Sequence, residues 1–466
     1  MKNFADRFSA LFKTLLPAPF TIAVVLTVLA FLFALIFTIP ADEEFGDYSL
    51  FLASEWESGL WNGSLLVFAV QMMLMLVLGH VMALTTPVDR FIGLVTSKYC
   101  HNTAAAAFTV TLCTVVVALF NWGLGLVFGA IFARKVGEYA RKKGFKLNYP
   151  LIGAAGYSGL MVWHGGFSGS SLSKVAEPEH IKNIMTGLMS NDQIAALPSR
   201  IGYTETVFSN MNVTVSLVLL VAMPLFMWLL GKVSDNYEGA LPEFKSRDQN
   251  SKTSISGAEK MDYSKWIGIS FGLLILAVAA MKAWNHPQFS SFGFISPNWI
   301  NLMLLGLGIT LHQNFVNFLH AVDSAISGAA GILIQFPLYF GIMGIMKSSG
   351  MVTMMSDFFV SVSNGTTYPL FTFISAGVVN IFVPSGGGQW AIQGPIIIQA
   401  ATDLGVSIPK SILAMAYGDQ LTNMLQPFWA LPLLGITGLK AKEILSYSAL
   451  LMLLGALIFI SALLIF

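Results

Sequence analysis

Charge is scarce in this chain. Asp, Glu, Lys and Arg make up 11% of its 466 residues, against roughly 25% in soluble domains. That shortage excludes an ordinary water-facing surface. The net charge of +1 leaves no overall field to attract nucleic acid. Cysteine is scarcer still. Cys100 and Cys113 are the only two, and they form neither a metal-ligand spacing nor a disulfide framework. Each reads as a small apolar residue. Also missing are the GxxxxGK phosphate loop, HExxH, CxxC and the GxSxG elbow. The run GGFSGS sets a serine among glycines, but outside the elbow pattern. The chain shows no signature of a nucleotide-driven pump, no cofactor motif and no convincing nucleophile–base pair, so it reads as a non-enzyme.

What abounds is apolar length. The chain is 55% hydrophobic, with a mean hydropathy of +0.71, and its apolar runs approach or exceed the ~20 residues a crossing helix needs. These features define an all-α integral membrane protein. Spans are expected at about 17–39, 64–84, 149–172, 206–231, 265–284, 298–312, 326–346, 408–432 and 443–466. Lys2, Arg7 and Lys13 precede the first run, which is too long for a signal peptide and is read as a retained helix. Two further segments, 104–132 and 369–402, are too long for one span and are interrupted near the middle. Each is expected to form a re-entrant hairpin.

Loop charges orient the chain. The stretch 40–63 carries Asp42, Glu43, Glu44, Asp47, Glu55 and Glu57 with no Lys or Arg. The stretch 133–148 carries Arg134, Lys135, Arg141, Lys142, Lys143 and Lys146. The positive-inside rule makes the second cytoplasmic. Arg90 and Lys98 place 85–103 on the same side, and the N-terminus follows.

The polar segment 232–264 divides the chain nearly in half, and the halves share an ordered pattern. Asn121 stands in LFNWGLG and Asn380 in VVNIFVPSGGG. Pro150 and Pro409 each follow 29 residues later, and His164 and Asn423 each 14 residues beyond those. Gln71 and Gln335 each sit alone in an apolar helix at similar distances upstream. An inverted-topology repeat is expected. Its first copy is 1–231, its connection 232–297 with a linking helix at 265–284, and its second copy 298–466.

Four interruptions then stand as two pairs. The hairpin middles are Asn121, Trp122 and Gly123 in one half, and in the other Asn380 with Ser385, Gly386, Gly387, Gly388, Gln389 and Trp390. The broken helices carry His164, Ser168, Gly169 and Ser170 in one half, Asn423 and Gln426 in the other. Irregular backbone at membrane depth must be buried in protein or line a wet cavity. Glycines expose backbone N–H groups, and helix N-termini carry partial positive charge, so together they suit a carboxylate. Trp122 and Trp390 offer apolar walls for a short acyl chain. The plainer alternative, that these glycines and serines only ease helix packing, fits isolated glycines better than the 384–389 cluster, because proline and consecutive glycines damage a packing helix.

Asp419 stands four residues before Asn423, on the same face of an intact helix. An ionisable residue inside a span is a candidate for ion or proton coupling, against a structural acceptor. His164 suits a proton relay or a structural role. Coupling to H+ or to Na+ stays open. Asp419 serves as a protonatable carboxyl, or as a ligand of a sodium site near Asn121, Asn380 and Asp419. Glu205, Asp323, Lys347 and His80 fall near helix ends, where snorkelling or capping accounts for them.

At VPSGGGQWAIQGP, 383–395, the sequence closely resembles the short-chain fatty acid transporter family of the AtoE type. Similar strings occur at 120–134, 163–170, 331–342 and 416–432, and the resemblance runs from about Phe8 to the C-terminus. It implies uptake of short-chain monocarboxylates such as butyrate or acetoacetate across a bacterial inner membrane. It also implies paired hairpins and an elevator-like motion, as in the broader ion-transporter superfamily. By analogy with such carriers a homodimer is expected. The chain departs from the family at His164, where members can carry glycine. The rivals are a carrier of another organic anion and a passive anion channel; few buried cations argue against a doubly charged substrate.

Overall fold

The computed structural model describes residues 17–186, 189–233, 257–287, 289, 294 and 296–466. The basic residues before position 17 and most of the polar segment 232–264 lie outside these. Helices make up the regular structure: α1 (Pro19–Phe37), α2 (Phe45–Leu60), α3 (Gly63–Ala83), α4 (Thr86–Tyr99), α5 (Thr103–Phe120), α6 (Trp122–Lys143), α7 (Tyr149–Tyr157), three one-to-two-turn helices α8 (Ser170–Val175), α9 (His180–Met185) and α10 (Asn191–Ala196), and α11 (Asn210–Val233). After a four-residue turn come α12 (Lys265–Trp284), α13 (Pro297–His312), α14 (Phe315–Ala325), α15 (Ala330–Ser348), α16 (Met351–Ser361), α17 (Tyr368–Phe382), α18 (Gly386–Asp403), α19 (Ile408–Thr422), α20 (Pro427–Thr437) and α21 (Ala441–Ile465).

Among the described residues, seven helices are long and apolar enough to cross a membrane. They include α1, α3, α11, α12 and α21, close to the expected spans. α5 also qualifies by length, and α14 joins α15 in one 34-residue stretch. The other expected spans are interrupted or short, and their interruptions are where the site forms.

Three expected loops are helical. The acidic stretch holds α2, in which Tyr48, Leu52 and Gly59 are buried. Its inner face meets α15 closely, since a Cβ on Gly341 would stand 2.6 Å from the Trp56 ring. The charges hid an amphipathic helix in which Asp47 and Glu57 are exposed while Glu55 accepts from Ser348 Oγ at the end of α15. The 85–103 stretch holds α4, started by Pro87 in its first turn. The basic run 133–148 is mostly the end of α6. Arg141, Lys142 and Lys143 occupy its last turn, where the helix dipole favours cations, and Gly144 closes it at φ 72°. Only a residue without a Cβ enters that left-handed conformation freely.

The core sits on the broken helices. Every residue of α7 is buried, and α19 is buried from Ser411 to Leu421. Lipid-type surface lies outside: Leu217, Val221, Leu225 and Leu229 form an exposed stripe at helical spacing along α11. α5 and α6 fold back on each other at Asn121, with a Cβ on Gly125 falling 2.6 Å from that of Ala118. α17 and α18 fold back likewise. Gln389 Nε2 donates to Ala376 O at 2.8 Å and Gln393 Nε2 to Ser375 Oγ at 3.2 Å.

Each folded pair leans on a broken helix through a glycine. A Cβ on Gly159 would lie 2.8 Å from Ala118, and one on Gly418 would lie 2.9 Å from Ala376 and 3.0 Å from Gly377 N. The interval of 259 residues between Asn121 and Asn380 also separates Gly159 from Gly418 and Ala118 from Gly377. Gly129 and Gly156 bring the backbones of α6 and α7 together, each where a Cβ would strike the other's carbonyl.

Gly129→Val is therefore expected to cost about 3 kcal/mol through overpacking. Gly93→Ala, where a Cβ meets nothing within 4 Å, should be neutral or gain up to about 1 kcal/mol of helix propensity. Thermal unfolding in detergent checks both. An unchanged midpoint for Gly129→Val would refute the close seam.

Candidate substrate and coupling site

Two chain breaks meet two hairpin tips at the centre. The second break begins where α19 ends. Asn423–Leu425 form a single 3-10 turn, and Gln426 is extended at φ −80°, ψ 111°. Pro427 starts α20 and forces this, because proline lacks an N–H and disfavours helical geometry in the residue before it. The freed carbonyls are not left bare. The Tyr157 hydroxyl lies 2.7 Å from Asn423 O and 2.9 Å from Gln426 O. Tyr157, on α7, comes from the other half of the chain.

Asn380 and Gln426 staple the second hairpin to this break. Asn380 Nδ2 lies within hydrogen-bond distance of Asp419 O (3.0 Å), Thr422 Oγ1 (2.9 Å) and Asn423 Oδ1 (2.7 Å). Gln426 Nε2 donates to Asn380 O at 2.7 Å and Ile381 O at 3.0 Å. Asn423 Nδ2 donates to Asp419 Oδ1 at 3.3 Å, as expected for one face of an intact helix.

The first break runs through 3-10 turns at Ser158–Met161 and Trp163–Gly165 and an extended Gly166. Its freed groups also find partners in the fold. Gln420 Oε1 accepts from His164 N at 2.9 Å and Gly165 N at 3.1 Å. Asn212 Nδ2 donates to Gly165 O at 2.8 Å, and Tyr417 donates to Asn212 Oδ1 at 3.0 Å. Ser168 Oγ accepts from Trp122 N at 3.0 Å, tying this break to the first hairpin tip. Gly169 permits the tight return, because a Cβ there would strike His164 O.

His164 and Asp419 bring the two breaks into contact. Both are fully buried, at 0% and 1% side-chain exposure, and Nδ1 stands 3.1 Å from Oδ2. The contact is close but not a straight hydrogen bond. On the other ring edge, Nε2 meets Ser171 N at 3.2 Å and Ser171 Oγ at 3.0 Å. A backbone N–H can only donate, so Nε2 accepts and the neutral ring carries its proton on Nδ1, toward the carboxylate. The Trp163 ring stacks on the imidazole, with centroids 4.5 Å apart.

The glycine cluster opens α18. Ser385 caps it, its Oγ accepting from Gly388 N at 3.2 Å. A Cβ on Gly386 would lie 3.0 Å from His164 Cε1 and 3.1 Å from Ser170 Oγ, so this tip presses on the first break. Gly387 is different: it is exposed, and a Cβ there would meet nothing within 4 Å. The first-turn N–H groups of an 18-residue helix thus begin beside open space, with the positive end of its dipole. Asn121 caps α6 in the same way, accepting from Leu124 N at 3.0 Å.

The structure separates the two predicted aromatic walls. Trp122 packs centrally against Trp429 (5.0 Å), Trp163 (6.0 Å) and Phe68 (6.2 Å). Trp390 is one turn into α18 and donates from Nε1 to His180 Nε2 at 3.0 Å. Burial lowers the pKa of His180, and the indole N–H, which can only donate, makes that nitrogen the acceptor. Asn121 makes its side-chain hydrogen bond inside its own hairpin, whereas Asn380 and Asp419 meet directly. His80 sits in the last turn of α3, buried, with Arg134 Nη1 3.1 Å from its Nε2. Glu205 caps a loop turn through Gly202 N at 3.0 Å.

Sequence reasoning passed over Tyr157, Gln420, Asn212, Trp163 and Trp429. The two indoles stand inside the family-like strings 163–170 and 416–432. Both are buried, and both have an Nε1 with no hydrogen-bond partner. Also without partners are Asn380 Oδ1, Gln389 Oε1 and Gln426 Oε1. Buried polar groups are seldom left unpaired.

Apolar helices long enough to cross a membrane, packed around a polar, internally bonded break site, are those of a multi-pass membrane protein. The chain belongs to the short chain fatty acid transporter family, whose model matches residues 1–466. It is 35% identical over 456 residues to a protein of Escherichia coli (strain K12) provisionally named a short-chain fatty acid transporter, covering 97% of this chain and 96% of that one. A Haemophilus influenzae protein of the same provisional name is 35% identical over 452 residues, covering 96% and 95%. A solved structure, the Alcanivorax borkumensis YdaH transporter, described as having an unusual topology, overlaps 95% of this chain and 98% of its own. Its identity is 15% and its TM-score 0.42, too loose a likeness to carry argument.

Tyr157→Phe removes the donor shared by two break carbonyls. The expected cost is about 1–3 kcal/mol, the penalty for buried acceptors left unpaired. It is read as a lowered unfolding midpoint in detergent; an unchanged midpoint would show that these carbonyls have other partners.

Proposed function

We propose that this protein is an ion-coupled secondary active transporter of short-chain monocarboxylates such as butyrate or acetoacetate, working in a bacterial inner membrane with its N-terminus cytoplasmic. The observation that carries the coupling is the buried His164–Asp419 pair joining the two breaks. The shared 259-residue interval supports two inverted repeats, with α5–α6 and α17–α18 as re-entrant hairpins entering from opposite faces. A homodimer is the expected assembly.

The substrate carboxylate is placed at the start of α18, beside Gly387, where backbone N–H groups and the helix dipole favour an anion. The unpaired indole N–H groups of Trp163 and Trp429 offer further donors. Trp122 and Phe68 face the acyl chain.

Charge then couples the ion to the substrate. An ionised Asp419 and a bound carboxylate are two negative charges in one water-poor site. At roughly 6 Å and an effective dielectric of ~20 they repel by roughly 3 kcal/mol, about a hundredfold in affinity. A proton taken up by the Asp419 carboxyl cancels one charge, while His164, already protonated on Nδ1, faces it from the other break. Substrate and proton therefore favour each other's binding, as symport requires.

A second reading has its own support. Asn380 Oδ1, Gln426 Oε1 and Asp419 Oδ2 are buried oxygens without hydrogen-bond partners, the donor type a sodium ion takes. Sodium bound there would cancel the same charge. Uptake of radiolabelled butyrate into proteoliposomes, with proton and sodium gradients imposed separately, distinguishes the two. Accumulation under one gradient names the ion. Uptake that neither saturates nor shows counterflow would indicate a passive channel instead.

Asp419→Asn is expected to abolish gradient-driven accumulation while sparing butyrate exchange. Retained accumulation would remove Asp419 from coupling. Gly387→Val, which adds bulk where the fold leaves space, should lower butyrate uptake at least tenfold, a loss of about 1.4 kcal/mol in binding, with insertion and unfolding midpoint unchanged. Normal uptake by that variant would move the substrate elsewhere.

A further inference from the structure

Away from the central site, α4, α5 and α11 enclose a cavity of about 660 Å³, a volume typical of small-ligand sites. Tyr99, Phe108, Leu112, Leu225 and Trp228 are among its walls, and no acidic side chain lines it. Thr109 also lines it, but its hydroxyl donates to Ala105 O at 2.8 Å and so is already paired. The floor is therefore apolar. The site opens beside the exposed Leu217–Leu229 stripe of α11, where lipid would lie.

One end of the cavity is cationic. Lys98 Nζ lies 5.2 Å from the Tyr99 ring centroid, and Lys232 Nζ lies 3.8 Å over the Trp228 ring. Both rings are cavity walls. Each lysine sits in the last turn of its helix, so two helix termini bring two ammonium groups to one mouth. The far end runs along α5 from Ala105 to Cys113, eight residues or ~12 Å of helix. A groove with cations at one end and ~12 Å of apolar wall matches an amphiphile with an anionic head.

We propose that this groove binds one anionic phospholipid, its phosphate between Lys98 and Lys232 and one acyl chain along α5 toward Leu112 and Leu225. The charge-derived orientation places the lysines at the cytoplasmic surface, where anionic lipids are drawn to basic side chains. A free phosphate leaves the apolar floor unfilled. A second copy docked two-fold would set the lysine pair against its own image, and like charges oppose that interface.

The test is native mass spectrometry of the full chain from micelles containing dioleoylphosphatidylglycerol or dioleoylphosphatidylcholine. The glycerol lipid should be retained at lower concentration than the choline lipid. The double variant Lys98→Gln, Lys232→Gln should weaken its binding roughly thirtyfold, from the contribution of each basic residue near the surface, and leave the choline lipid unaffected. Leu112→Trp, which fills the floor, should weaken both. Equal glycerol-lipid affinity in the wild type and the double variant would overturn the proposal. So would a dimer that Leu112→Trp dissolves without changing lipid affinity, which would give the groove to a second copy.

Discussion

The constraint that governs this structure is the backbone hydrogen bond at membrane depth. A broken helix exposes N–H and C=O groups, and in hydrocarbon each unpaired group costs several kcal/mol. Two breaks in one core are tolerable because buried side chains complete them. Tyr157 serves the carbonyls of the second break, Gln420 the amides of the first, and Asn212 the Gly165 carbonyl. Tyr157 and Gln420 each come from the half of the chain opposite the break they serve. The two halves therefore cannot separate without orphaning polar backbone, and the irregular segments stay at the centre.

That centre holds the charge economically. Asp419 accepts from Asn423 and faces His164, and His164 is held in one tautomer by Ser171. The geometry places a buried carboxylate and imidazole in contact where one break passes the other. The close approach of Gly386 to His164 and Ser170 brings the tip of the second hairpin against that pair. Open space begins one residue further on, at Gly387.

Much of the helical content was readable from apolar run length, and the interruptions from proline and consecutive glycine. Asn380, Asp419, Asn423 and Gln426 stood out as polar residues in apolar surroundings, and the fold brings them together. Other parts were hidden for physical reasons. α2 was hidden by three acids of its own and three just before it, because a helix needs only one apolar face. Tyr157 and Gln420 gave no signal, since a tyrosine or glutamine in an apolar run looks alike whether it packs or caps a distant carbonyl. Trp390 stood out by its place beside the glycines. Its partner His180 lies 210 residues away in sequence, a contact that local spacing cannot reveal.

The glycine seams have a mechanical consequence. Gly159 lies against Ala118, and Gly418 against Ala376 and Gly377, with no room for a methyl group between the surfaces. Close-packed interiors have low compressibility and transmit displacement. Sliding along such a seam would first require lifting one helix off the other by the width of a side chain. Each folded pair and its broken helix therefore behave as one stiff block, and any shift that bares the site to either side of the membrane must be absorbed outside those blocks.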